Sequence, residues 1–415
     1  MALTIETLGR KKLSVILIAI LVVAAWAGMI LVSSWKARQH REAAEKALAE
    51  NDLDQAQEQL TKYLQARPRD GNALLLAART ARRRGDLQAF EQHLKAYEQI
   101  QGPTPAGDLE KQLLQVQEGD LTAEESLKRR TSIDETNAGL ILEALGQGNV
   151  LAVHLPQAIE CLNQVMQKQP GNTLALYWRG RAWESWNQFE KALDDYEKAL
   201  AVRPEFDRAR QGYAESLNRI GRVREAVGQY ELLHRRQPDN SGIVLSLAAC
   251  WEDLHELEKA QELANELLTR EPENVAAMVE KGRIALRKGQ FDQAEESLEQ
   301  ALKLAPRSRD AHLVKQLCLE SQGKDDLAAS HKVQLMEIQR DSIHKAALLR
   351  QLVRTPHDPA VRYELGMIYL RDHDESQAAR WLRTALTEDP KYQPAKDALA
   401  TLKENLRWEK HKGSD

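Results

Sequence analysis

Proline recurs at positions 170, 204, 238, 272 and 306, each 34 residues after the one before. A fixed period of this length marks one supersecondary unit repeated along the chain, and it excludes an ordinary single-core domain. Pro68 stands in the same frame, three periods before Pro170, and Pro390 follows Pro306 by two periods plus 16 residues. Small residues keep step. Ala56, Ala158, Ala192, Ala226, Ala260, Ala294 and Ala378 each stand twelve residues before such a proline, and Ala328 stands twelve before position 340, one period after Pro306. Ala44, Gly180, Ala214, Ala248, Gly282 and Gly366 stand twelve residues earlier still. Between the two slots lies a turn residue: Asn51, Asn187, Gly221, Gly289 or Gly323.

This pattern predicts two amphipathic helices per period, crossing where only small side chains let the backbones approach. Larger apolar residues fill the space between units, as Leu176, Trp183, Phe189 and Tyr196 do in the unit ending at Pro204. Proline closes the second helix because it lacks an N–H and clashes with the preceding turn. Strong helix formers dominate, 29% of residues are charged, 5% are aromatic, and no sustained apolar/polar alternation occurs. The expected fold class is therefore all-α.

The segment Leu176-Tyr-Trp-Arg-Gly180, Trp183, Phe189-Glu-Lys-Ala192, Tyr196, Ala199 and Pro204 resembles the tetratricopeptide repeat consensus. So does Leu365-Gly366, Tyr369, Ala378, Leu382, Ala385 and Pro390. The resemblance extends over residues 37–405 and implies a right-handed α-solenoid of about nine to ten helix pairs. It implies a concave groove lined by the first helix of each pair, suited to a protein or peptide partner. On the register of the repeat, the groove-facing residues are Tyr177, Arg181, Gln211, Glu215, Asn218, Leu245, Ala249, Val279 and Arg283. The carboxylate-clamping members of the family use a Lys/Asn/Arg constellation on successive first helices. Its Lys and Asn are missing here, so that specialised activity is not implied.

Residues 13–32 carry no charge and twenty of them span about 30 Å as a helix, the thickness of a bilayer core. They predict one N-terminal transmembrane helix. Ala25-Trp26-Ala27 would suit a cleaved signal peptide, but the apolar run continues through Met29, Ile30, Leu31 and Val32. The basic cluster Arg10-Lys11-Lys12 precedes the span, and Lys36, Arg38, Arg41 and Lys46 follow it. These counts alone do not fix direction. The dense leading cluster resembles a signal anchor and places the solenoid on the exocytoplasmic (periplasmic) side of a single-pass membrane protein.

The expected organisation runs from a basic segment (1–12) and the membrane helix (13–32) into partly degenerate N-terminal units (37–135). A regular array (136–306), an irregular unit with about 16 extra residues (307–356) and a last unit (357–390) follow. A capping helix and polar tail (391–415) end the chain. Ser132-Ile-Asp-Glu135 reads as a capping box. Gly146-Gln-Gly148-Asn149 reads as a loop between helices, its spacing fitting no phosphate-binding fingerprint. Asp325 to Arg354 reads as almost unbroken helix with a possible restart at Asp341-Ser342: a spacer, or a projecting element that binds a partner or a second copy.

Nothing in the sequence assembles a catalytic or cofactor site. Cys161, Cys250 and Cys318 are isolated and fall inside helical patterns, as small buried hydrophobes do. His357-Asp358 and His373-Asp374 lie at inter-helix turns, where Asp is expected as a cap. With 58 basic and 62 acidic residues the net charge is −4, and no basic domain stands out, so nucleic acid is not an expected partner. The functional expectation is a non-enzymatic, membrane-tethered scaffold or adaptor. A structural accessory subunit of an export or assembly complex is the alternative.

Overall fold

The computed structural model describes residues 29, 32–152, 154–355, 357–372 and 374–412. Most of the 13–32 span lies outside these residues. Among the described residues no helix is long and apolar enough to cross a membrane.

Every regular element described is helical. After α1 (32–49) come α2 (Leu53–Ala66), α3 (Gly71–Arg84), α4 (Leu87–Gln101), α5 (Pro105–Gln117), α6 (Glu124–Thr131), α7 (Glu135–Leu151) and α8 (Leu155–Lys168). The next are α9 (Thr173–Ser185), α10 (Phe189–Val202), α11 (Asp207–Arg219), α12 (Val223–Arg236), α13 (Ser241–Asp253), α14 (Leu257–Arg270) and α15 (Val275–Arg287). The last are α16 (Phe291–Leu304), α17 (Arg309–Ser321), α18 (Asp325–Arg354), α19 (Pro359–Arg371), α20 (Glu375–Glu388) and α21 (Gln393–Lys412). The chain forms two compact units, unit 1 over 1–222 and unit 2 over 223–415.

Within each unit the helices pair as the period predicts. Ala56, Ala158, Ala192, Ala260, Ala294 and Ala378 are completely buried at the crossings. The opposing slot shows why it is small. A Cβ on Gly180 would stand 2.6 Å from the Tyr196 ring, and one on Gly282 or Gly366 would stand 2.8 Å from Leu298 or Leu382. Helix starts are fixed chemically. Asp52, Asp70, Asp86, Asn172, Asn240 and Asn274 each accept a hydrogen bond from a backbone N–H of the first turn. Each such cap stabilises its helix by about 0.5–2 kcal/mol.

The turn inside each pair reveals a longer-running period than the prolines. Left-handed backbone occurs at Asn51, Gly85, Gly119, Asn187, Gly221, His255, Gly289 and Gly323. All eight share one 34-residue frame. Gly119 falls in the stretch that reads as degenerate, so that stretch keeps the repeat: α5 is followed by a short 3₁₀ turn and the eight-residue α6.

Three local expectations change. Gly146-Gln-Gly148-Asn149 is not a loop but part of α7. Its glycines admit neighbours: a Cβ on Gly146 would meet Leu162 at 2.6 Å, and one on Gly148 would meet the Val116 carbonyl oxygen at 2.0 Å. The cap of α7 is Asp134, accepting from the Asn137 N–H, and Ser132 lies outside the helix. No restart occurs at Asp341, because α18 runs unbroken for 30 residues.

Candidate functional site

Successive first helices touch one another, α5–α7–α9–α11 in unit 1 and α13–α15–α17 in unit 2, so each unit has a face made of first helices. The residues expected to line a groove fall on both: Tyr177, Arg181, Gln211, Glu215 and Asn218 in unit 1, Leu245, Ala249, Val279 and Arg283 in unit 2.

In unit 1 the inner register is largely covered by the chain itself. Tyr177 is buried, with Phe206 5.5 Å and Tyr196 6.2 Å away between ring centres. Leu53, from the start of α2, joins the same apolar cluster. One period earlier, Glu143 takes two hydrogen bonds from the Arg83 guanidinium, at 2.6 and 2.8 Å, and a third from Asn172. Both members of this pair are buried. Arg83 holds the Glu143 carboxyl below its usual range against the desolvation that would raise it. Beside it Arg79 and Arg82 converge on buried Glu110, at 2.6 and 2.9 Å. Arg203 reaches Asp54 at 2.5 Å, and Arg208 donates to the Arg84 carbonyl at 3.0 Å. Helices α2 and α3 are thus fastened across α5, α7 and the α9–α11 region. Arg181 is half-buried and ion-paired to Glu184 at 3.5 Å. Gln211 is exposed and donates to half-buried Glu215 at 2.9 Å, and Asn218 is half-buried.

Unit 2 carries the rest of the register. Leu245, Ala249 and Arg283 are half-buried, whereas Val279 is packed into the core with Met278 and Leu298. Beside Arg283 sits a carboxyl pair. Glu280 accepts from Arg283 at 2.6 Å and Glu252 pairs with Arg287 at 2.5 Å. Burial, with Glu252 as a second cause, pushes the Glu280 carboxyl up. One period beyond Val279 and Arg283, the register reaches Leu313 and Leu317 on α17, and both are exposed. Extending the register by one unit would have found these two from sequence. Arg83 and Glu143, 60 residues apart, carry no such signal.

The thiols are buried, and burial pushes Cys161 up to about 11 and Cys250 up to about 12. His357 pairs with Glu388, Asp358 caps α19 and Asp374 caps α20, while His373 lies outside the described residues. Among the described residues no group of His, Cys, Asp and Glu could hold a metal ion.

Paired helices, buried small residues at each crossing and faces of aligned first helices define the class: a helical-repeat scaffold. The chain carries tetratricopeptide repeats. One tetratricopeptide-repeat family model matches residues 41–105, 252–291 and 279–334, and a second matches 173–206. Anaphase-promoting complex subunit 3 of Schizosaccharomyces pombe is 22% identical over 175 residues, 42% of this chain and 26% of that protein. The DnaJ homolog subfamily C member 7 homolog of the same yeast is 26% identical over 183 residues, 40% of this chain and 38% of that protein. The chain thus spans well under half the length of either relative. Among solved structures, a tetratricopeptide repeat protein from Parabacteroides merdae aligns with a TM-score of 0.44 at 16% identity, covering 64% of this chain and 99% of that one. Members of the family generally bind protein or peptide partners.

Proposed function

We propose that this chain is a non-catalytic scaffold that holds a protein or peptide partner at a membrane surface. The observation that carries the partner reading is the inner face of unit 2. Leu245, Ala249, Arg283, Leu313 and Leu317 stand on successive first helices, and each retains accessible surface. A row of apolar and cationic side chains at a repeat register suits an extended or helical segment. The tether rests on sequence: the uncharged run 13–32, with α1 occupying 32–49, leaves almost no linker between a membrane helix and the first repeat. The leading Arg10-Lys11-Lys12 cluster favours an exocytoplasmic repeat array. Unit 1, whose register is buried at Leu109, Glu143 and Tyr177, suits the second reading, a structural accessory subunit of an export or assembly complex.

Two measurements test this. Reporter fusions at both termini fix the side of the membrane. Recovery of crosslinked partners from native membranes is then compared for the full chain, a form lacking residues 1–35, and Arg283→Glu. Loss of membrane recovery on truncation and loss of partners in Arg283→Glu are expected. Unchanged membrane recovery defeats the tether. A partner set indifferent to Arg283→Glu, with a complex that stays intact, favours the accessory-subunit reading.

A further inference from the structure

The 30-residue α18 is long enough to leave the repeat register, and where it does so an apolar face is left open. A groove of about 700 Å³ lies between α17 and α18, floored by Leu313, Leu335, Met336, Ile343 and Ala347. Met336 is 60% exposed and Ile343 59%, and Leu313 in the same lining is exposed as well. Large apolar side chains grouped on a surface mark an interaction site, whereas single scattered ones do not. The lining runs along α18 from Lys332 to Ala347, about 22 Å or four turns at 1.5 Å per residue. Its apolar members recur at helical spacing, with no strand edge to pair with, so the shape suits a helix laid in the groove.

Charge selects the occupant. Arg309, Lys332, Arg340 and His344 also line the groove, and no carboxylate does. Glu337 and Asp341 line a neighbouring hollow, which shares Arg340 and His344 with the groove, and there Asp341 is held by Arg307 at 2.8 Å and Arg371 at 3.0 Å. Lys332 and Arg340 have no ion pair among the described residues. Arg309 has only its sequence neighbour Asp310 at 3.8 Å, with both side chains in solvent, and His344 meets Glu364 at 3.1 Å. A cationic rim around an apolar floor complements an apolar stripe flanked by acids.

We propose that the α17–α18 groove binds an amphipathic helix of a partner protein, its apolar stripe seated on Met336, Ile343 and Leu313 and its acidic flanks on Lys332 and Arg340. This rests on the partner-binding reading above and names the site and chemistry of the partner. The test uses the full chain in lipid nanodiscs and two labelled peptides of about 18 residues, long enough for the four turns. Both carry the same leucine stripe, one flanked by Glu and the other by Lys. Fluorescence anisotropy should show the acidic peptide binding about tenfold tighter at low salt, with the gap closing at high salt. Lys332→Glu with Arg340→Glu should reverse the preference. Met336→Glu with Ile343→Glu should abolish binding of both peptides while the melting curve stays unchanged, because both side chains are exposed. Equal affinity for the two peptides, or binding untouched by Met336→Glu with Ile343→Glu, overturns the proposal. So does a dimer in sedimentation equilibrium that this double variant dissolves, which would make a second copy the occupant. The same variants enter the membrane crosslinking experiment. Partners retained by Met336→Glu with Ile343→Glu sink this groove alone, whereas an absence of partners from the wild-type chain sinks the scaffold reading itself.

Discussion

Units 1 and 2 are built from the same 34-residue period and the same crossing alanines, yet they treat the face of their first helices differently. In unit 1 the register positions Leu109, Glu143 and Tyr177 are buried, and only the last, Gln211, is exposed. In unit 2, Leu245 is half-buried, Val279 is packed, and Leu313 is exposed beside a long apolar groove. The repeat specifies helix pairing, through small residues and capped turns. Whether the resulting face is open is decided by long-range pairs outside the repeat. Three arginines at 79, 82 and 83, on a helix with an otherwise ordinary pattern, fasten α3 to carboxylates on α5 and α7. On α17 the buried Lys315 pairs with Glu295 and Glu299 of α16, and Leu313 and Leu317 stay exposed.

The sharpest way to break this contrast is to unfasten unit 1. Arg83→Ala leaves Glu143 buried with its principal charge partner gone, and removing one member of a buried pair typically costs about 3–5 kcal/mol. A urea titration should place the loss in unit 1. Replacing both residues, as Arg83→Met with Glu143→Met, should recover most of the stability, because no charge is then stranded. If the single variant cost no more than an exposed ion pair, about 1 kcal/mol or less, the fastening would be incidental.

Glycines separate the units next. Gly148→Ala drives a methyl into the Val116 carbonyl of unit 1, where the obstacle is backbone and cannot swing aside. A loss of about 1–3 kcal/mol is expected from such overpacking. Gly228 lies inside α12 of unit 2 with open space around it. Gly228→Ala should therefore gain about 0.5–1 kcal/mol from helix propensity alone. Thermal melts of the two variants must move in opposite directions for the packing account of Gly148 to hold.

A smaller effect distinguishes the carboxylates. Glu143 is held ionised by Arg83, but Glu280 in unit 2 is pushed up by burial and by Glu252. A carboxyl raised above its unfolded value contributes most at low pH, and stability is lost as pH rises through the unfolded pKa towards the folded one. Glu280→Gln should therefore stabilise the chain at pH 8, by about 1–2 kcal/mol, and do little near pH 4. Equal effects at the two pH values would show that charge is not the cause.

How much of this was legible follows from the range of the interactions concerned. The crossings at Gly180 and Gly366 and the turns at Asn51 and Asn187 are set by residues within one period, so the sequence carries them openly. The continuous frame through Gly119 was hidden because no proline marks its boundaries. Gly148 looked like a loop residue because a glycine needed for close approach and one needed for a turn are the same letter. The burial of Tyr177 draws on Leu53, that of Glu143 on Arg83, and no period joins those positions. The open groove at Leu313 was within reach of the register, but its apolar floor comes from α18, which follows no repeat.

The mildest test concerns how α18 is held to α17 beneath that groove. Half-buried His331 and buried His312 share a hydrogen bond of 2.8 Å between their Nδ1 atoms, and His312 Nε2 lies 2.9 Å from the Pro306 carbonyl oxygen. The carbonyl can only accept, so His312 carries its proton on Nε2 and His331 donates to its Nδ1. A proton on His312 Nδ1 would put two donors face to face. Burial, then His312 and Lys315, hold His331 below the ordinary histidine value, so the unfolded chain binds the proton more tightly. Stability from this contact is complete above pH 6.5 and is lost as pH falls from there through the folded pKa. Hydrogen exchange, corrected for intrinsic rates, should show α18 loosening between pH 7 and pH 5 while α13–α15 stays protected. His331→Gln, which retains a donor and cannot titrate, should flatten that dependence. Half-buried His93 in unit 1 is lowered by burial as well, but there Asp86 opposes the shift, and the ring lies 3.2 Å from Gln57. Acid should therefore loosen α4 less than α18, and the reverse order would mean that burial, and not the facing cation, governs the response.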